Sequence, residues 1–195
     1  MPLGAARFGL SGADLDLGKL QLIETQTVSG ASTFEFTNLK ESTYNVHFMT
    51  GIIHFDGTAN SNYDAYIRVS NDGGSTYESG TDYQYAYLNA KGESTSFNER
   101  TDTAATYFRI EGATDRAACS VNFYIYFYNL GDSGKYSFMT LQNSALIYLS
   151  GAEQFRSRFG SQVYDVAETI NALQFSTNAT QYDTDTVVSL YGIKE

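Results

Sequence analysis

The chain has 195 residues, of which 42% are hydrophobic and 17% are charged, and its formal net charge at pH 7 is −10. Globular proteins average about 25% charged residues, so the surface is expected to consist mainly of uncharged polar groups. The 16 Tyr and 13 Phe residues exclude a disordered chain, no apolar run reaches the roughly 20 residues of a membrane span, and the acidic balance disfavours nucleic-acid binding.

The first predicted elements are an extended N-terminal arm and a series of strands. Residues 1–19 are rich in Gly and Ala, have no sustained period, and are predicted to form the arm. Alternation of β-branched or aromatic residues with polar ones then predicts strands over residues 20–28, 43–55, 63–70, 83–88 and 106–111. Gly51 lies inside the second of these strands and is expected to bend or bulge it.

Residues 119–128 form the strongest predicted strand. One of its faces is apolar and the other is polar and aromatic: Val121, Phe123, Ile125 and Phe127 on the first, Asn122, Tyr124, Tyr126 and Tyr128 on the second. A Gly-Asp-Ser-Gly turn follows, so this strand and one over residues 135–142 are predicted to form a hairpin. Further strands are expected over residues 145–150, 160–166, 170–176 and 184–193, with one helical turn over residues 152–158.

The spacing of these elements predicts the fold class. Turn signals recur at intervals of roughly 8–12 residues, which is typical of an all-β antiparallel sandwich or barrel. No internal repeat, low-complexity block or Pro-rich linker interrupts the chain. Residues 20–195 are therefore predicted to form a single β-sandwich domain.

Few residues show a recognisable catalytic pattern. His47 and His54 are predicted on opposite faces of one strand unless Gly51 changes its phase, and no nucleophile elbow, P-loop, dinucleotide fingerprint or EF-hand loop occurs. The Asp pairs at positions 14/16 and 183/185 are interpreted as solvated loop carboxylates. Cys119, the single cysteine, cannot form an internal disulfide and is interpreted as a buried structural thiol. We therefore predict a protein that is not an enzyme and has no metal site and no cofactor.

One alternative to these interpretations remains open at the level of sequence. A glycosidase needs two carboxylates about 5–9 Å apart, and a linear sequence does not give that distance. The opening MPLGAARFGLSG lacks the basic and long apolar regions of a secretory signal, so the protein is expected to be made in a cytoplasm and either to stay there or to leave by another route, such as lysis.

The segment Ser70-Asn71-Asp72-Gly73-Gly74-Ser75-Thr76-Tyr77 resembles the Asp-box, a hairpin turn with the pattern S-x-D-x-G-x-T-aromatic that occurs in sialidases and other β proteins. In such a turn the Asp carboxylate accepts backbone hydrogen bonds, Gly permits positive φ, and the aromatic ring packs beneath. Sialidases carry several copies on a much larger propeller, so the single copy here is interpreted as a structural turn.

Tyrosines form stripes on two predicted strands. Tyr83, Tyr85 and Tyr87 share one face, and Tyr124, Tyr126 and Tyr128 share another. Tyrosine combines a large apolar ring with a polar tip, which suits half-buried faces and interfaces. The stripes are therefore either the second face of a sandwich, with hydroxyls that reach water, or a surface that binds a neighbouring subunit or a glycan. Asp72 and Tyr77 join Tyr83, Tyr85 and Tyr87 as candidates for this interface or glycan face.

Three stretches resemble virion proteins of tailed bacteriophages, especially phages of marine and cyanobacterial hosts. They are the opening MPLGAARFGLSG, the central RVSNDGGSTYESGTDYQYAYL and the ending VVSLYGIKE, which together cover roughly a fifth to a quarter of the chain. The resemblance implies a structural component of the virion with a jelly-roll-like sandwich, and it implies no catalytic residue. Leu3, Phe8 and Leu10, with Arg7, are the arm residues expected to bind a partner.

The resemblance leaves two functional hypotheses. The first is a capsid decoration or cement protein that binds the major capsid protein or other virion proteins, stabilises the shell, and is a homotrimer or homodimer. The second is a tail-fibre or baseplate adhesin that binds host surface glycans. Both predict a virion protein made in the host cytoplasm, with no nucleic-acid or membrane partner.

Overall fold

The computed structural model describes residues 19–58 and 60–194 of the chain. The predicted arm over residues 1–19, with its candidate residues Leu3, Arg7, Phe8 and Leu10, lies outside the described residues except for Lys19. No helix in the described part of the chain has the length and apolar content that a membrane span requires.

The described residues form strands that are connected by turns and loops. In chain order they are β1 (Leu20–Val28), β2 (Thr33–Phe36), β3 (Val46–Ile53), β4 (Phe55–Asp56), β5 (Asn62–Ser70), β6 (Tyr83–Lys91), β7 (Asn98–Ala105), β8 (Phe108–Thr114), β9 (Val121–Tyr128), β10 (Ser137–Leu149), β11 (Ala152–Tyr164), β12 (Ala172–Thr177), β13 (Gln181–Tyr182) and β14 (Thr186–Ile193).

The strands form two large antiparallel sheets and one small one. The eight-stranded sheet has the order β1-β14-β3-β9-β10-β11-β6-β7, and the four-stranded sheet has the order β2-β12-β5-β8. β13 and β4 form a two-stranded ribbon. The predicted all-β fold with antiparallel sheets in a sandwich-like arrangement is confirmed, and so is the hairpin of β9 with β10.

The core lies between the four-stranded sheet and one face of the eight-stranded sheet. Alternate residues of β9 are buried, which is the period that a strand with one buried face requires. Aromatic rings from the two sheets meet across the gap, because Phe123 lies 6.2 Å from Phe175 and Phe127 lies 6.3 Å from Phe108 between ring centroids. This packing determines which face of the eight-stranded sheet is turned away from the core.

The β-bulge predicted at Gly51 does not occur. β3 pairs with β14 and with β9 in unbroken register through Gly51. A Cβ atom at this position would lie 2.7 Å from the Val187 carbonyl oxygen and 2.9 Å from Val188 Cγ2, so Gly permits a close approach of β3 and β14. The unbroken phase keeps His47 inside β3, whereas His54 follows the end of the strand.

The helical turn predicted over residues 152–158 is also wrong, because these residues begin β11. β11 pairs along its whole length with β10, and the separate strand expected over residues 145–150 is the second half of β10. Three further strands, β2, β7 and β13, have no counterpart in the prediction.

Candidate functional site

The candidate site is the surface of the eight-stranded sheet that points away from the four-stranded sheet, which we name the outer face. It extends over six adjacent strands, β14, β3, β9, β10, β11 and β6. Cross-strand pairing places the following side chains on it: Val187, Ser189, Tyr191 and Ile193; Val46, Phe48, Thr50 and Ile52; Asn122, Tyr124, Tyr126 and Tyr128; Phe138, Thr140, Gln142 and Ser144; Phe155, Ser157, Phe159, Ser161 and Val163; Gln84, Ala86, Leu88 and Ala90.

None of these outer-face side chains carries a formal charge, although the chain has 22 acidic and 12 basic residues. Charged side chains begin at the margins of the face, at Glu99 on β7 and at Glu153 near the turn between β10 and β11. A sheet face in contact with water normally carries charged and polar side chains. The cores of protein interfaces, by contrast, are depleted in charged residues. The outer face therefore has the composition of an interface.

Five aromatic side chains form a continuous cluster at the centre of β14, β3 and β9, which we name the aromatic cluster. Its members are Phe48, Tyr124, Tyr126, Tyr128 and Tyr191. Phe48 lies 5.0 Å from Tyr126 and 6.1 Å from Tyr191 between ring centroids, and the Tyr124 hydroxyl donates a hydrogen bond to Gln142 Oε1 on β10. The rings hold one another in place and present a preformed surface with polar tips.

Large apolar side chains on the rest of the outer face are open to solvent. Phe138, Phe155, Phe159 and Ile52 are each between 40% and 49% exposed, and Leu22 on the neighbouring edge strand β1 is 59% exposed. Shallow grooves run between them, one of which is lined by Phe138, Ser161 and Ala86. A monomeric soluble protein rarely exposes a contiguous apolar patch of more than a few hundred Å².

The structure does not place Tyr83, Tyr85 and Tyr87 on an exposed face, which corrects their assignment as candidates for an interface or glycan face. They point to the inner side of β6, where Tyr83 is fully buried and Tyr87 is 5% exposed beneath the Arg158 guanidinium, 3.9 Å from its ring centroid. Tyr85 is half-buried and stacks on Tyr87 at 5.0 Å. Burial closes Tyr83 and Tyr87 to a glycan or a partner.

Asp72 and Tyr77 belong to the turn after β5 and lie apart from the outer face. Asp72 Oδ1 accepts hydrogen bonds from the Ser70 hydroxyl at 2.8 Å and the Thr76 N–H at 2.9 Å, and its Oδ2 accepts one from the Thr76 hydroxyl at 2.7 Å. Gly74 has a φ of +90°, and its N–H donates to Ser70 Oγ. These hydrogen bonds lower the pKa of Asp72 to about 2, and the bond from the Thr76 N–H has the largest effect. The arrangement is that of the predicted structural turn.

The substitution Asp72→Asn is expected to lower the thermal midpoint of unfolding near neutral pH, because the amide cannot accept the Thr76 hydroxyl bond and carries no charge. Folding lowers the pKa of Asp72 from 3.8 to about 2. The carboxylate therefore stabilises the folded state fully above about pH 3.8, and this stabilisation is lost as the pH falls through about 2. Thermal melts of both proteins across this range should converge at acid pH.

The control for this prediction is Asp56→Asn, an exposed carboxylate that accepts one side-chain hydrogen bond from Gln181. It should leave the midpoint nearly unchanged. The charge argument would be contradicted if the thermal midpoints of Asp72→Asn and the natural chain differed as much at about pH 2 as near neutral pH.

The two residues with the most reactive side chains, His47 and Cys119, are buried. His47 is fully buried, its Nε2–H donates to the Leu39 carbonyl oxygen at 2.8 Å, and burial lowers its pKa. Burial also raises the pKa of the Cys119 thiol, so the thiol stays protonated at neutral pH. Over residues 19–58 and 60–194, His, Cys, Asp and Glu side chains form no group of three or more that could hold a metal ion.

Sequence reasoning found one part of the site and missed the rest. The stripe of Tyr124, Tyr126 and Tyr128 was visible from its period of two, and the structure brings Phe48 and Tyr191 beside it. The signal for these two was the absence of charge at every second position of their own strands. Comparison of the chain with protein-family models, with curated proteins and with solved structures finds no match.

Proposed function

We propose that the chain is a non-enzymatic structural protein of a tailed-bacteriophage virion, namely a capsid decoration protein that binds the major capsid protein and stabilises the shell. The structural observation that supports a role in assembly is the outer face, an uncharged and aromatic surface six strands wide that suits contact with another protein chain. Such a surface serves protein contact rather than catalysis. The assignment to a virion comes from the three sequence stretches that resemble phage virion proteins. A jelly-roll-like arrangement of the strands is part of the same proposal.

The surroundings of the reactive side chains support a structural role. His47 cannot reach a substrate from the core, and the Cys119 thiol is buried and neutral at physiological pH. The Asp72 carboxylate uses its oxygens for hydrogen bonds within its own turn. Each of these groups therefore has a structural use that explains its presence.

Attachment to the shell is assigned to the arm over residues 1–19. Leu3, Phe8 and Leu10 are apolar residues separated by glycines, so the arm can follow the shape of a groove on a capsid subunit, and Arg7 can pair with a carboxylate there. The last residue of this segment leads directly into β1, the edge strand of the eight-stranded sheet. Each copy that binds the folded shell stabilises it by mass action.

The double substitution of Phe8 and Leu10 by Ser is expected to abolish co-sedimentation with capsids that lack the protein, while the full natural chain binds at a fixed ratio. The physical reason is the loss of the apolar area that the arm buries. Ala5→Ser with Ala6→Ser is the matched control and should bind like the natural chain. Far-UV circular dichroism should be the same for all three proteins.

Failure of the natural chain to bind such capsids would overturn the decoration proposal. Undiminished binding of the Phe8 and Leu10 variant would instead overturn the role of the arm and assign the contact to the sandwich.

The alternative function is a tail-associated adhesin that binds host glycans. The observation that favours it is the exposed Tyr124 ring beside the amides of Asn122 and Gln142, because aromatic rings with neighbouring amides can stack on and hydrogen-bond a sugar. The adhesin hypothesis predicts that the purified chain binds host cells and that Tyr124→Ala abolishes this binding. Cells that do not bind the protein at micromolar concentration would contradict it.

A further inference from the structure

We infer that the outer face is covered by another copy of the same chain, so that the protein is a homo-oligomer before it meets any particle. This inference deepens the proposed function and rests on it for the virion setting. The self-association itself is a property of the purified chain. It gives the two surfaces separate uses, because the outer face joins copies to one another and the arm joins the assembly to the shell.

The dimensions of the outer face match those of a stable protein interface. Six strands at a spacing of about 4.8 Å give a width of about 29 Å, and four outward residues per strand at about 6.8 Å give a length of about 27 Å. The product is about 780 Å² per copy. Stable and specific interfaces bury about 800 Å² per partner, so one copy of the face is enough for one such contact.

The distribution of charge favours a second copy over a foreign partner. Two chains of net charge −10 repel one another at long range, so their contact must avoid bringing carboxylates together. The outer face meets this condition because its charged residues begin only at the margins, at Glu99 and Glu153. A foreign partner would be selected and steered by complementary charge, which this face does not offer. Interfaces between identical subunits are the most apolar class.

The relief of the outer face provides both halves of a contact. The aromatic cluster on β14, β3 and β9 lies on one half. The other half carries shallow grooves beside Phe138 and Phe159, which the small residues Ala86, Ser161 and Gly160 help to line and which the charged residues Glu99, Arg100 and Asp102 of β7 border at the margin. The rings of one copy can therefore enter the grooves of the next. A surface that carries a projection and its receptor on the same chain can close around a two-fold or a three-fold axis.

Constant exposure of this face would be a liability for a free monomer. Phe138, Phe155 and Phe159 expose between 40% and 49% of their surface, and exposed apolar patches of this extent promote aggregation. Another copy of the chain is present wherever the chain itself is made, whereas a foreign partner must be made separately. The occupant that is always available is the chain itself.

The test is sedimentation-velocity ultracentrifugation of the full chain and of two variants, Tyr124→Lys and Thr140→Lys, which place a charge on adjacent strands in the middle of the face. The natural chain is expected to sediment as a multiple of its 21.5 kDa mass. Each variant should raise the dissociation constant about a hundredfold or more, because an unpaired charge would be buried in every contact.

The matched control is Leu149→Lys. Leu149 is as exposed as Tyr124, at 47% against 42%, but it lies at the end of the hairpin of β10 with β11 and off the outer face. It should sediment like the natural chain. Unchanged far-UV circular dichroism is expected for all variants, since the substituted side chains are at the surface of the single chain.

Two results would overturn the inference. The first is a natural chain that stays monomeric up to high micromolar concentration, which includes the case in which its own residues 1–18 cover the face. The second is an oligomer that both lysine variants leave intact, because the contact would then lie elsewhere. Capsid binding separates this inference from the proposed function: an oligomer that binds no capsid overturns only the function, and a monomer that binds capsids overturns only the inference.

Discussion

Replacement of Tyr83 by Ala is expected to lower the free energy of unfolding by about 3–5 kcal/mol, the usual cost of removing a buried aromatic ring. Tyr83 is fully buried, and its ring lies 5.0 Å from those of Phe108 and Tyr164. Its hydroxyl accepts a hydrogen bond from the Val69 N–H and donates one to the Glu78 carbonyl oxygen, which ties the turn over residues 70–78 to β6. Domains are typically stable by about 5–15 kcal/mol, so this loss is a large part of the total.

Chemical denaturation of Tyr83→Ala, Tyr83→Phe and Tyr136→Ala separates the contributions to this cost. Tyr83→Phe keeps the ring and leaves the buried Val69 N–H and the partly buried Glu78 carbonyl oxygen without this partner, for which about 1–3 kcal/mol is expected. Tyr136, which is 49% exposed, is the control, and its replacement by Ala should cost below about 1 kcal/mol. Equal and small losses for all three variants would contradict the buried position of Tyr83.

The substitution Gly160→Ala is expected to lower the free energy of unfolding by about 3 kcal/mol or more. This is the upper end of the usual cost of inserting extra atoms into a packed core. A Cβ atom here would lie 2.4 Å from the Ala86 carbonyl oxygen and 2.5 Å from Tyr87 Cβ. These atoms belong to β6, the neighbouring strand, and cannot move without breaking the pairing of β11 with β6. The same shift would pull Tyr87 away from the Arg158 guanidinium above its ring.

Gly134→Ala is the matched control for this prediction. Gly134 lies in the turn before β10, and the nearest atom to an added methyl group is Asp132 Oδ1 at 3.4 Å. The two variants differ only in the site of one methyl group, so thermal melts compare them directly. A midpoint for Gly160→Ala that equals that of Gly134→Ala would show that the two strands are farther apart than described.

The period of two predicted most of the strands but could not decide which face of each strand is buried. Tyrosines alternate on both β6 and β9, yet those of β6 point inward and those of β9 point outward. The difference lies in the opposite face of each strand. β9 has Val121, Phe123 and Ile125 available for the core, whereas β6 has Gln84 and Ala86, so the tyrosine rings of β6 are its best core residues.

The elements that sequence reasoning missed are those in which tertiary pairing overrides local pattern. β7 is an edge strand with mostly exposed side chains, so it shows no hydrophobic alternation. Residues 152–158 contain Glu, Gln and Arg, which favour helices, but their backbone groups complete the long hairpin of β10 with β11. The outer face could not be predicted from the sequence for the same reason, because strands far apart in the sequence, such as β3 and β14, form it together.

The central claim is that this chain is a structural component of a virion, and the most direct test is its copy number per particle. Quantitative mass spectrometry of purified virions, with the major capsid protein as the internal reference, measures this number. The decoration proposal predicts copies on the order of hundreds, in a constant ratio to the capsid protein. A complete absence of the chain from purified particles would contradict the claim.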